Sequence, residues 1–162
     1  MPAKKAALGK KVPAFKLPAT GEQEIALKDL AGKYVVLYFY PKDSTPGCTR
    51  EGQDFGEEHA KFKRQGAIIL GVSRDSVKSH ENFKAKQGFP FDLLSDKEEV
   101  LCNIFDVIKE KNMYGKKVMG VERSTFIIDP DGKLRHEWRK VKVDGHVSEV
   151  LETLKQIKKE AT

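Results

Sequence analysis

The stretch "YVVLYFYPKDSTPGCTRE", Tyr34 to Glu51, decides how this chain is read. Its first seven residues are dominated by β-branched and aromatic side chains. That composition suits an interior strand of a sheet covered on both faces. The run stops at Pro41, and a helical pattern begins near Thr45. Thr45 is a good N-cap, and Pro46 suits the first helical position, where its missing N–H costs nothing. The helix runs to about Gln65, with Phe55, His59 and Phe62 at spacings of four and three and Gly66 as its stop. Cys48 then falls at the third helical residue, where free backbone N–H groups and the positive end of the helix dipole converge. Such a place favours a thiolate over a thiol. The competing reading of Cys48 is a buried, inert thiol; its flanks, Gly47 and Thr49, are not core residues.

Outward from this stretch, "AIILGVS" (67–73) is a second buried strand, so strand, helix and strand form a βαβ unit with a parallel pair. Asp75 to Gln87 is a weaker amphipathic helix with Val77, His80 and Phe83 on one side. "FDLLSD" (91–96) is a short strand. "KEEVLCNIFDVI" (97–108) is expected to be helical, with Leu101, Ile104, Phe105 and Ile108 sharing a face. "STFIID", the turn "PDG" and "KLRHEWRK" form a hairpin. "HVSEVLETLKQIKKE" closes the chain as an amphipathic helix that buries Val147, Val150, Leu151, Leu154 and Ile157. The pattern is α/β: a central mixed β-sheet flanked by helices.

The 162 residues are the size of one domain able to bury its own core. No run approaches the eighteen or so apolar residues of a membrane span. The opening "MPAKKAALGKKVPAF" lacks the apolar segment of a secretory signal. Two cysteines in unrelated surroundings are no disulfide framework and fit the reducing cytoplasm. The net charge of +6 raises nucleic-acid binding as a question. The basic residues are spread among 24 acids, however, and form no continuous stripe, so a solvated surface is expected and no nucleic-acid partner. His59, His80, His136 and His146 have no paired-cysteine spacing, so no metal and no cofactor is expected.

"PKDSTPGCTRE" places Pro41, Thr45 and Cys48 in the spacing P-x-x-x-T-x-x-C, with Glu51 three residues on. This resembles the active-site motif of the peroxiredoxins. Together with "KEKNMYGKKVMGVERSTFIIDPDG" (109–132), "TPGCT" is similar to the subfamily called bacterioferritin comigratory protein, or PrxQ, from about Val12 to the final helix. The resemblance implies a thioredoxin-like fold and a thiol peroxidase acting on hydrogen peroxide and organic hydroperoxides. It further implies that Cys48 attacks the peroxide and becomes a sulfenic acid, and that Thr45 hydrogen-bonds the thiolate and the substrate. Pro41 would shield the sulfur, Arg123 would lie beside it, and Glu51 would orient an arginine.

The chain departs from the subfamily in one respect. The positions at which many of its members carry a resolving cysteine hold Gln53 and Lys84 here. Cys102 is the remaining candidate within the chain, although it borders the apolar face of its own helix. The expected enzyme is therefore recycled by an external thiol: thioredoxin, glutaredoxin or glutathione. The sequence shows no large unexplained apolar face, so a monomer is expected. A non-enzymatic binding protein on the same scaffold and a peroxide sensor are the competing readings.

Overall fold

The computed structural model describes residues 5–161. In chain order its elements are β1 (Lys16–Ala19), β2 (Gln23–Ala26), a short 3-10 turn (Leu27–Leu30), β3 (Tyr34–Phe39), α1 (Pro46–Arg64), β4 (Ala67–Ser73) and α2 (Val77–Gln87). There follow β5 (Asp92–Ser95), α3 (Val100–Ile104), β6 (Ile108–Met113), β7 (Lys116–Val121), β8 (Ser124–Ile128), β9 (Leu134–Trp138) and α4 (His146–Glu160).

Seven strands form one sheet in the order β2-β1-β5-β4-β3-β8-β9. β3, β4 and β5 are parallel, and β8 runs antiparallel to β3 with Leu37 opposite Phe126. This is the mixed sheet expected of a thioredoxin-like fold. Every residue of β3 is buried, because alternate side chains enter two separate cores. Val35, Leu37 and Phe39 pack with Leu101, Ile104 and Phe105 on one face. Val36 and Tyr38 pack with Phe55 and Phe62 of α1 and with Val150 and Leu154 of α4 on the other. The final helix buries all five of the expected apolar residues.

One expectation changes. The helix expected over 97–108 is a single short one that ends at Ile104, with Phe105 as its cap and Asp106 in the left-handed region at φ 53°. Ile108 instead opens β6 and pairs across to Val121. The basic stretch 109–117, for which the sequence suggested no element, forms the greater part of the two-stranded hairpin β6–β7, outside the main sheet and mostly exposed. Met113, Tyr114, Val118 and Met119 of this hairpin are exposed.

The parallel strands all point one way, so their C-terminal ends converge on one edge. In open α/β sheets, ligands bind outside that edge. The segment from Pro41 to Thr45 crosses it and delivers the chain to the start of α1.

Candidate active site

α1 begins as the sequence predicts, with Pro46, Gly47 and Cys48 as its first three residues. Thr45 has the extended backbone of an N-cap, but its side chain makes no capping bond. Its hydroxyl donates instead to the Lys42 carbonyl at 2.9 Å, and Ser44 turns the loop at φ 64°. The expected bond from Thr45 to the sulfur is thus replaced by one within the loop. The hydroxyl has a single proton, already engaged, and only its lone pairs remain to meet a ligand. Pro41 lies half-buried at the end of β3.

Arg123 stands 75 residues from Cys48 in sequence, just before β8. Its backbone is pinned by the Val141 N–H, which donates to its carbonyl at 3.0 Å. One guanidinium nitrogen donates to Cys48 Sγ at 3.4 Å, and the other donates to Glu51 Oε1 at 2.6 Å. The rigid fork of an arginine can engage two acceptors together in a way an ammonium cannot. Gly47 makes room for it, since a Cβ there would come within 3.1 Å of Nη2. Cys48 is 2 % exposed and Glu51 is fully buried. Burial pushes the Glu51 carboxyl up to about 7, with Arg123 working against the rise and Asp54 adding to it.

A second cation approaches from β6. The Lys111 ammonium donates to the Val121 carbonyl at 2.5 Å. Burial lowers its pKa and the charge of Arg123 lowers it further, while the Cys48 sulfur opposes both. No pattern in the sequence pointed to Lys111. Gly47 had a signal, a glycine in the first turn of a helix next to a cysteine.

Beneath the loop a buried polar cluster holds Asp43. His80 Nδ1 lies 2.7 Å from Asp43 Oδ2, and His80 Nε2 lies 2.9 Å from the Leu94 carbonyl. Tyr40 and Ser79 donate to the same carboxylate at 2.6 and 2.7 Å, and the Asp43 N–H donates to Asp75 at 2.9 Å. Burial works against the Asp43 charge, but the His80 bond and the two hydroxyls outweigh it and hold the carboxyl below its usual range. Asp43, Asp75 and His80 offer ligand atoms within 4.8 Å of one another; those atoms are already taken up in these bonds. The cluster ties the loop between Pro41 and Thr45 to α2 and β5.

Cys102 lies elsewhere. It belongs to the core on the opposite face of the sheet from Cys48. Burial drives its thiol far up, and Asp96 adds to the effect. A disulfide needs Cα atoms within about 7 Å, and in this fold the sheet stands between the two sulfurs. Gln53 bonds to Gln87 at 2.9 Å, and Lys84 pairs with Asp92 at 2.7 Å. Neither replaces a thiol.

A family model for the AhpC/TSA family matches residues 8–137, and the chain belongs to that family. Within it, the chain is a peroxiredoxin of the Bcp/PrxQ group, a thiol-dependent peroxidase. It is 60% identical to Peroxiredoxin Bcp of Xanthomonas campestris pv. campestris over 143 residues, covering 87% of this chain and 89% of the relative. It is 51% identical to Peroxiredoxin Bcp of Bacillus subtilis, covering 93% and 96%. A crystal structure of Xylella fastidiosa PrxQ carrying a cysteine-to-serine mutation superposes with a TM-score of 0.89 at 47% identity, covering 95% and 98%. A structure of the Xanthomonas campestris bacterioferritin comigratory protein, studied for its alkyl peroxide reduction activity, superposes at 0.84 with 58% identity, covering 88% and 90%. A non-enzymatic binding role is thereby set aside. No helix among the described residues is long and apolar enough to cross a membrane.

Proposed function

We propose that Cys48 is the sulfur that attacks the peroxide and that an external thiol completes the cycle. The Cys48 thiolate displaces at the terminal oxygen of R–O–O–H. An S–O bond forms, the O–O bond breaks, the sulfur is oxidised to a sulfenic acid, and the departing oxygen takes a proton and leaves as the alcohol or water. Charge grows on that oxygen in the transition state, so a fixed guanidinium aimed at it accelerates the step. Arg123 supplies this charge, and Glu51 holds its other nitrogen in place. Thr45 accepts from the peroxide O–H with its free lone pairs, and Pro41 screens the sulfur from water.

The observation that carries this reading is the Arg123 fork, which spans Cys48 and Glu51 within 3.4 Å. Recycling by an external thiol is supported by the place of Cys102 across the sheet and by Gln53 and Lys84 on the α1 and α2 side. The incoming thiol attacks the sulfenic acid, water leaves, and a second thiol reduces the mixed disulfide. Thioredoxin, glutaredoxin and glutathione are the reductant classes. The protein works in the cytoplasm as a monomer and defends it against hydrogen peroxide and organic hydroperoxides.

Peroxide consumption, measured with dithiothreitol and with each of the three reductants, tests the reading. Activity in the wild type that disappears in Cys48→Ser supports it. Activity retained in that variant overturns it.

A further inference from the structure

Two buried side-chain atoms lack a hydrogen bond among the described residues: the Tyr38 hydroxyl and Glu51 Oε2. Both belong to the packing of α1 on β3. Cys48, Glu51 and Phe55 stand at i, i+3 and i+7 on α1, so they share one side of it. Tyr38 stacks on Phe55 with ring centroids 4.6 Å apart. Burial raises the Tyr38 hydroxyl well above its usual range, and the Glu51 charge is the next largest cause, ahead of Cys48.

An ionised carboxylate with one oxygen unpaired in a dry core is a costly state; a neutral carboxyl with that oxygen unpaired costs less. Arg123 meanwhile faces two acids, Glu51 Oε1 and Cys48 Sγ. Lys111, the second cation, couples to Cys48 and Arg123, whereas Arg123 is the cation that acts on Glu51, so Glu51 is the acid left with less compensation. Cys48 lies in the first turn of α1, among the free amides and the positive end of the dipole. Glu51, one turn further in, lacks that support.

We propose that Glu51 keeps its proton on Oε2 in the resting enzyme, leaving the sulfur as the sole anion on Arg123, and that losing it weakens the site at alkaline pH. Glu51 is then more than an orienter of Arg123: it decides over which pH range the guanidinium serves the sulfur. This rests on the reading of Cys48 as the reacting sulfur.

The groups around the carboxyl agree with this assignment. Arg123 faces it from the segment before β8, Cys48 and Asp54 from α1 itself, and Tyr38 from β3. His146 at the start of α4 brings no charge near neutrality, because burial holds it down to about 4. Lys111 of β6 lies close enough to couple to both Arg123 and Cys48. The rise of Glu51 to about 7 places the midpoint of its deprotonation near neutrality.

The test is infrared difference spectroscopy on the reduced full-length protein, combined with the pH profile of peroxide consumption. The expected spectrum shows the C=O stretch of a protonated, buried carboxyl near neutral pH. That band fades as the solution is made alkaline and is missing from Glu51→Gln. Wild-type kcat/KM should fall on the alkaline side, approaching tenfold per pH unit, while Glu51→Gln, which mimics the protonated side chain, shows no such fall. A spectrum without the band at neutral pH, or an alkaline fall that persists in Glu51→Gln, overturns the proposal. Cys48→Ser separates the two readings: peroxidase activity surviving there refutes the catalytic role of Cys48, whereas the band at acid pH still reports on Glu51 alone.

Discussion

A Cβ placed on Gly47 would stand 3.1 Å from Arg123 Nη2, closer than nearly all real contacts of that kind. The bare backbone at position 47 thus lets the guanidinium sit close over the first turn of α1, and a side chain there would force it to shift. Gly47→Ala should improve the helix, since alanine exceeds glycine in helix propensity by roughly 0.8–1 kcal/mol, yet push the guanidinium off the sulfur. The expected result is an unchanged or higher melting temperature with about tenfold lower kcat/KM for peroxide, a loss of about 1.4 kcal/mol in transition-state stabilisation. Thermal unfolding and a peroxidase assay on the same sample check it.

Arg123→Met should remove the donor that spans both acids while roughly preserving bulk. Deleting one such donor from a preorganised site costs about 10²–10³ in kcat. Arg123→Lys should recover only part of this, because a single ammonium cannot reproduce the fork across Cys48 and Glu51. Steady-state kinetics on the two variants give the comparison.

Gly52, one turn past Cys48, has the ring of Phe89 where a Cβ would go, at 2.4 Å. Gly52→Ala should overpack the seat of α1 and cost about 1–3 kcal/mol. Shortening the obstacle in the double variant with Phe89→Leu should restore part of the loss. Denaturant unfolding of the single and double variants measures both.

The Asp43–His80 pair is fully internal, and both ring nitrogens face oxygens that accept here. His80→Ala removes one partner of a buried pair, which typically costs about 3–5 kcal/mol. Because the carboxyl is held below its ordinary value when folded, the stabilisation is present above that value and lost as pH falls through the lowered one. The difference between wild type and His80→Ala should therefore shrink on the acid side, as urea titrations at several pH values will show.

Glu51 has the opposite sign. Its folded pKa lies above the ordinary 4.5, at about 7. Its contribution is complete below 4.5 and is lost as pH rises to about 7. At 1.36 kcal/mol per unit, wild type should lose about 3 kcal/mol relative to Glu51→Gln across that window. Paired melting curves at acid and mildly alkaline pH test it.

Much of this was legible in the chain itself, for physical reasons that differ by element. β3, α1 and α4 announce themselves because burial on two faces or along one stripe leaves a strong periodic pattern. β1 and β2 do not: each has four residues, and Pro18 interrupts the first. The hairpin β6–β7 escaped because it is mostly exposed, so no buried face marks its period. The helix of α3 was read too long because Ile108 happens to continue its spacing. In the site, the setting of Cys48 followed from helix-start chemistry alone. The meeting of Arg123 with Cys48, across 75 residues, came from the motif and not from any local rule. The turn of the Thr45 hydroxyl toward Lys42, and the unpaired Glu51 oxygen, are three-dimensional facts with no one-dimensional trace.

The most direct test of the account is to treat reduced protein with one equivalent of hydroperoxide in the presence of a sulfenic-acid trap and locate the adduct by peptide mass spectrometry. The account predicts the trap adduct on the Cys48 sulfur, with Cys102 recovered as a free thiol. An adduct on Cys102, or a Cys48–Cys102 disulfide as the main product, would contradict it.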